Sequence, residues 1–135
     1  MTDYLFRVLL IVPSDRKAGL EAFIAAEFHN AEWLVAELSA SGTAPATHYM
    51  TCFACTLADT SRWANRLATD GGVPLPPEFQ YYNADQRIAF ISAARATLKE
   101  NTGVSVYVCR NDQQWFNVSE ILEDEQLVVI DAIIP

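Results

Sequence analysis

Apolar and polar positions alternate with different periods along this chain, and the periods predict its elements. Residues 4 to 12, YLFRVLLIV, are dense in aromatic and branched side chains and are stopped by Pro13. Both faces of that run are apolar, which suits a central strand. Ser14 or Asp15 stands where a helix cap is needed. After it Leu20, Phe23, Ile24, Glu27 and Phe28 follow helical spacing, four of the five apolar.

EWLVAEL (32 to 38) and HYMTCFACT (48 to 56) flank SASGTAPAT, a loop of small residues with Gly42 and Pro45. Two apolar runs around such a loop predict a hairpin. Asp59 is placed to cap a short helix carrying Trp63 and Leu67, which ends at Asp70-Gly71-Gly72. Three prolines within VPLPPEFQYY predict extended loop.

Asn83 with Gln86 three positions on forms a capping box. The helix after it shows Ile88, Ile91, Ala94 and Leu98 on one side and stops near Gly103. VSVYVCR (104 to 110) reads as a strand with Val104, Val106 and Val108 together on one face. Asn117 and Glu120 repeat the capping spacing ahead of a short acidic helix, and LVVIDAII closes as a strand or docked tail.

The predicted order is that of an α+β domain with a ferredoxin-like βαββαβ antiparallel sheet and helices on one face. A C-terminal helix and strand are added. The reading is one domain over 1–135, with a core at 1–110 and an acidic extension at 111–135.

Cys52-Phe53-Ala54-Cys55 has C-x-x-C spacing, with His48 four residues upstream. On a strand, His48, Met50, Cys52 and Ala54 face one way, while Tyr49, Thr51, Phe53 and Cys55 face the other. The two cysteines would lie about 10 Å apart on opposite faces, beyond the roughly 7 Å a disulfide spans. His48 and Cys52 would lie about 13 Å apart, too far to share a zinc ion. A redox C-x-x-C starts a helix, where amide dipoles stabilise the thiolate; here the predicted cap, Asp59, comes later. The cysteines, Cys109 included, read as small buried hydrophobes.

The same alternation leaves neither face of the segment polar. The open face of a ferredoxin-like sheet meets water, so this face calls for a cover. The C-terminal tail, a second copy or another protein would each serve.

Composition narrows the function. With 51% hydrophobic and 19% charged residues among 135, the chain is globular in character. Its net charge of −8 is concentrated after Arg110, where Asp112, Glu120, Glu123, Asp124, Glu125 and Asp131 follow with no Lys or Arg. Such a face repels phosphate backbones and anionic membranes, so neither nucleic acid nor membrane is expected as a partner. No basic leader or membrane-length apolar run is visible. Three irregularly spaced cysteines point to a reducing cytoplasm rather than a disulfide framework.

His29 and His48 are the two histidines, and no phosphate loop, G-x-S-x-G or H-E-x-x-H pattern accompanies them. No catalytic residue, metal ligand or cofactor is therefore assigned. The aromatics of the predicted loops, Phe79, Tyr81, Tyr82, Trp115 and Phe116, are candidates for a protein contact patch. They could equally fold back over the core.

Leu38 to Tyr49, LSASGTAPATHY, resembles a pattern in small uncharacterised proteins encoded by phages and prophages, L-S-x-x-G-x-x-P-A-T-H-Y. The matching positions here are Leu38, Ser39, Gly42, Pro45, Ala46, Thr47, His48 and Tyr49. The motif reads as a hairpin turn in which Gly42 permits positive φ, Pro45 stiffens the return, and Thr47 or His48 hydrogen-bonds the loop.

The resemblance, together with the doubly apolar strand and the missing catalytic constellation, leads us to expect a phage-encoded, non-enzymatic protein acting through protein contacts, as a component of the tail or capsid. Its partners would be virion proteins or a second copy, and its place the host cytoplasm and then the virion. Two other readings stay open. One is a ferredoxin-like dimer enclosing a small ligand beside His48 or Tyr49. The other is an acidic nucleic-acid mimic using residues 120 to 131, although Ile121, Leu122 and Leu127 interrupt its carboxylates.

Overall fold

Five strands account for the hydrophobic runs in the computed structural model, which describes residues 6–19, 22, 35–110 and 116–133. They are β1 (Phe6–Pro13), β2 (Val35–Ser39), β3 (His48–Cys55), β4 (Ser105–Arg110) and β5 (Val128–Ile133). They form one sheet in the order β4-β1-β3-β2-β5, with every neighbouring pair antiparallel. Three helices are described with them: α1 (Leu57–Gly71), α2 (Ala84–Thr102) and α3 (Val118–Glu125). The chain is thus an α+β protein with a five-stranded antiparallel sheet.

Registration explains the two layers. Leu10 faces Thr51 and Val106, and Leu9 faces Cys52 and Tyr107, so paired residues share a side and the sides alternate. One face gathers Phe6, Val8, Leu10, Val12, Tyr49 and Phe53, packed with Ile91 and Leu98 of α2. The other gathers Leu9, Ile11, Ala36, Leu38 and Met50, packed with Ile121 and Leu122 of α3. Each fully buried aliphatic or aromatic side chain contributes about 1.5–3 kcal/mol, so both layers matter to the fold.

Local chemistry sets the helix limits. Thr56 caps α1: its hydroxyl accepts from the Asp59 amide at 3.2 Å, and the Asp59 carboxylate accepts from the Thr56 amide at 3.2 Å. The cap is therefore Thr56 and not Asp59, because β3 ends at Cys55 and the helix begins one turn earlier than its spacing predicts. Asn83 and Gln86 make the expected reciprocal box at 2.9 Å each. α2 ends where Gly103 adopts φ 75°, and a side chain there would collide with the Pro13 ring. Gly71 lies so close to Leu98 that a larger residue there would force the leucine side chain to shift between α1 and α2.

Several expectations need correction. Helices cover both faces of the sheet, since α3 lies opposite α2. Between β3 and β4 stand two helices, α1 and α2, with a 3₁₀ turn, where the βαββαβ pattern has one helix; the expected C-terminal helix and strand are α3 and β5. The proline segment is not wholly extended. Pro77–Tyr81 is a 3₁₀ turn, helped by the fixed φ of a proline at its start.

Ser14 opens a 3₁₀ turn, Ser14–Arg16, whose cap position is taken by Pro13 with no side-chain bond; most of the helix that Ser14 or Asp15 is expected to cap lies outside the described residues. Gly42 does not use positive φ, which among the described residues belongs to Gly72, Gly103 and Gln126. The spacing at Leu20, Phe23, Ile24, Glu27 and Phe28, and His29, lie outside the described residues.

Candidate contact surface

The C-x-x-C residues lie on a strand and on opposite faces, as alternation requires. Cys55 is buried under the helices of the first face, while Cys52 is half-buried opposite Leu9 on the second. Cys52, Cys55 and Cys109 form no disulfide. Burial pushes the Cys109 thiol up, with the Cys52 thiol adding to the shift and Arg7 opposing it. A raised thiol is a poor nucleophile at neutral pH. No group of three or more His, Cys, Asp or Glu among the described residues could hold a metal ion.

The hairpin motif is built by main-chain bonds. The Thr47 amide donates to the Leu38 carbonyl at 2.9 Å, and the Ser14 amide donates to the Thr47 carbonyl at 3.0 Å. Thr47 Oγ1 and His48 Nδ1 lie 2.8 Å apart, so the imidazole is engaged by its neighbour on the loop rim. Gly42 and Pro45 are exposed, and a side chain at Gly42 would meet open space. A cleft lined by Ala64, Val73, Phe90, Ile91 and Leu98 has room for about 10 Å³, one water at most. His48 is not among its lining residues.

The loop aromatics separate. Phe79 is core, 3% exposed, with the Tyr82 and Phe90 rings each 5.5 Å away. Tyr82 is half-buried against it, whereas Tyr81 stands 80% exposed. Phe116 packs on the second face beneath α3. Trp115 lies outside the described residues. The five candidates therefore do not form one described patch. The 3₁₀ turn points Phe79 inward and Tyr81 outward, which a loop reading cannot distinguish.

Arg87 holds that turn in place. It is 3% exposed; Nε donates to the Tyr82 carbonyl at 3.1 Å and Nη2 to the Gln80 carbonyl at 3.1 Å. Nη1 donates to Thr60 Oγ1 and Ser61 Oγ, both at 2.7 Å, and to the Leu57 carbonyl at 3.0 Å. The guanidinium also sits 4.9 Å from the Phe79 ring centre. Burial lowers its pKa, and its charge is met by carbonyl and hydroxyl dipoles. The sequence carried a signal for it: Arg87, Ile91, Ala94 and Leu98 share a helical stripe.

A second polar group fastens α3 to the sheet. The Tyr107 hydroxyl donates to Glu125 Oε1 at 2.7 Å, and Lys99 Nζ donates to Oε2 at 2.5 Å. Burial pushes the Glu125 carboxyl up, but hydrogen bonds from Lys99, Tyr107 and Ser105 more than offset this and hold it below its ordinary value. Burial, followed by the bond to Glu125, drives the Tyr107 phenol upward. Arg95 reaches from α2 around the β4 edge, donating to the Val106 carbonyl at 2.9 Å and stacking 4.0 Å from the Tyr107 ring centre.

At the other edge the pattern reverses. Val128 and Val129 are 42% and 43% exposed. They are consecutive, so they point to opposite faces, and neither belongs to the two core clusters among the described residues. Asp131 and Ala132 are exposed as well, and Ile130 is half-buried. The sequence reads here as a strand or a docked tail; the structure makes it a strand, last in the sheet among the described residues. No family model, curated protein or solved structure matches this chain. No helix among the described residues is long and apolar enough to cross a membrane.

Proposed function

We propose that this chain is a non-enzymatic, phage-encoded protein that acts through protein contacts, as a component associated with the tail or capsid. The observation that carries the contact reading is β5, the last strand of the sheet among the described residues, where the apolar Val128 and Val129 are 42% and 43% exposed. Such an edge offers unpaired main-chain donors and acceptors to another chain. The phage reading rests on the resemblance of Leu38 to Tyr49 to the hairpin motif.

We further read β4-β1-β3-β2 as a ferredoxin-like core extended by α3 and β5. The antiparallel order of those four strands supports this. In that reading the acidic extension covers the face that such a core would leave open, and the β5 edge remains for partners.

The test is composition of the particle. The chain is tagged in its phage, particles are purified through a density gradient, and peptides are counted by mass spectrometry. Co-sedimentation with tail or capsid proteins is expected. A chain found wholly in the host lysate and absent from the particles would sink the virion reading.

A further inference from the structure

We infer that Lys99 is a charge-operated latch on α3, and that acylating its amine opens the latch and uncovers the second face of the sheet. The inference is independent of the virion reading. Among the described residues, the side-chain bonds that join α3 to the rest of the fold end on Glu125. Its carboxylate accepts from Tyr107 Oη at 2.7 Å and from Lys99 Nζ at 2.5 Å, with Ser105 as a further donor. Two of these donors are hydroxyls, and Lys99 brings the full charge. Arg95 spends its Nε on the Val106 carbonyl and stacks on the Tyr107 ring instead.

The pair is unequal in exposure. The Glu125 side chain is 8% exposed and the Lys99 side chain 52%, so a reagent reaches the amine while the carboxylate stays enclosed. Acylation removes the charge and leaves a buried carboxylate held by hydroxyls, an arrangement that destabilises the element carrying it. That element is α3. It has eight residues, and its buried apolar side chains, Ile121 and Leu122, are each 9% exposed, so little apolar area resists its release. Lys99 itself sits on α2, which Ile91 and Leu98 fix in the first layer.

The sequence holds two lysines, Lys17 and Lys99. Lys17 lies 5.0 Å from the ring centre of Tyr49, a residue of the first layer. The donor class is an acyl phosphate. The free amine attacks the acyl carbon, a C–N amide bond forms, and the C–O bond to phosphate breaks. Of the two protons the ammonium loses, one leaves with inorganic phosphate and one goes to solvent.

The test uses the full chain carrying Lys17→Arg, which keeps a cation near Tyr49 and leaves Lys99 as the one lysine. It is treated with acetyl phosphate, and peptide mass spectrometry locates the acetyl group. Acetylation at Lys99 should speed hydrogen exchange of the α3 amides about tenfold. Oxidation of Met50 by dilute hydrogen peroxide should rise to a similar degree, since Met50 is 2% exposed within that layer. Lys99→Gln should act like acetylation, and Lys99→Arg should not.

Lys99 also stands in the last turn of α2, where a cation favours the helix by itself. In a Glu125→Gln background, Lys99→Gln should therefore change α3 exchange by less than about twofold. Acetylated Lys99 with α3 exchange and Met50 oxidation unchanged overturns the inference. So does an amine that acetyl phosphate fails to modify, a Lys99→Arg chain as loose as Lys99→Gln, or a full effect of Lys99→Gln in the Glu125→Gln background. Should Lys99→Gln fail to fold, the acetylated chain decides alone.

Discussion

The two faces of the sheet are covered by different means. The first face is filled by volume: Phe6, Tyr49 and Phe53 interlock with Ile91 and Leu98 along a helix of 19 residues. The second is covered by the eight-residue α3, whose Ile121 and Leu122 reach the sheet while Glu125 ties it down through Tyr107 and Lys99. One layer owes its hold to apolar area. The other adds a polar fastening at its rim. The difference predicts unequal stability, with the second layer and the β5 strand that follows it opening before the first.

Phe53→Ala should give the largest effect, a loss of about 3–5 kcal/mol in urea unfolding, since the ring is 2% exposed within the first layer. The loss should appear as cooperative unfolding of the whole sheet. Leu122→Ala should cost about 2–3 kcal/mol, at the low end for a leucine because the site lies at the layer's margin, 9% exposed. Hydrogen exchange should then accelerate in α3 and β5 and leave α2 unchanged. Equal acceleration in α2 would show the two layers to be one cooperative unit and break the comparison.

Glu125→Gln should cost about 1.5–2 kcal/mol at neutral pH by weakening charge-assisted hydrogen bonds. The sign of its pH dependence follows from the lowered pKa. The ionised carboxylate stabilises the fold above the ordinary value of 4.5, and that contribution fades as pH falls through the lower folded-state value. Stability curves of the unaltered protein and the Glu125→Gln variant should therefore converge in acid. Curves that stay parallel from pH 7 to pH 3 would remove Glu125 from the fastening.

The smallest effect has the opposite sign. Thr51 Oγ1 is fully buried in the first layer and has no hydrogen-bond partner among the described residues. Thr51→Val should raise stability by about 1 kcal/mol, since it removes an unsatisfied hydroxyl and keeps the branched shape. A destabilised variant would mean that the hydroxyl finds a partner after all.

Much of this arrangement was legible in short-range chemistry. The β1, β3 and β4 runs, the Asn83–Gln86 box, the Gly103 stop and the separation of Cys52 from Cys55 all follow from spacing alone. What escaped was the fate of residues whose spacing permits two outcomes. Phe79 and Tyr81 lie two positions apart, yet one is core and the other solvent. Arg87 shares a stripe with Ile91, but nothing local indicates that carbonyls of the neighbouring turn would converge on it. Phe116 reads equally as a contact residue or as cover for the core, and the structure packs it with the second layer.

Period and composition by themselves placed β1, β3, β4 and the helix behind the Asn83–Gln86 box, and required that both faces of β3 be buried, because alternation of side chains is a property of the backbone. Only the tertiary structure decided what buries them. The acidic helix folds over Met50 and Leu38, and β5 becomes an edge rather than an interior strand. Those outcomes depend on which distant groups meet, through the Glu125 fastening and the pairing with β2, and no window of sequence carries that information.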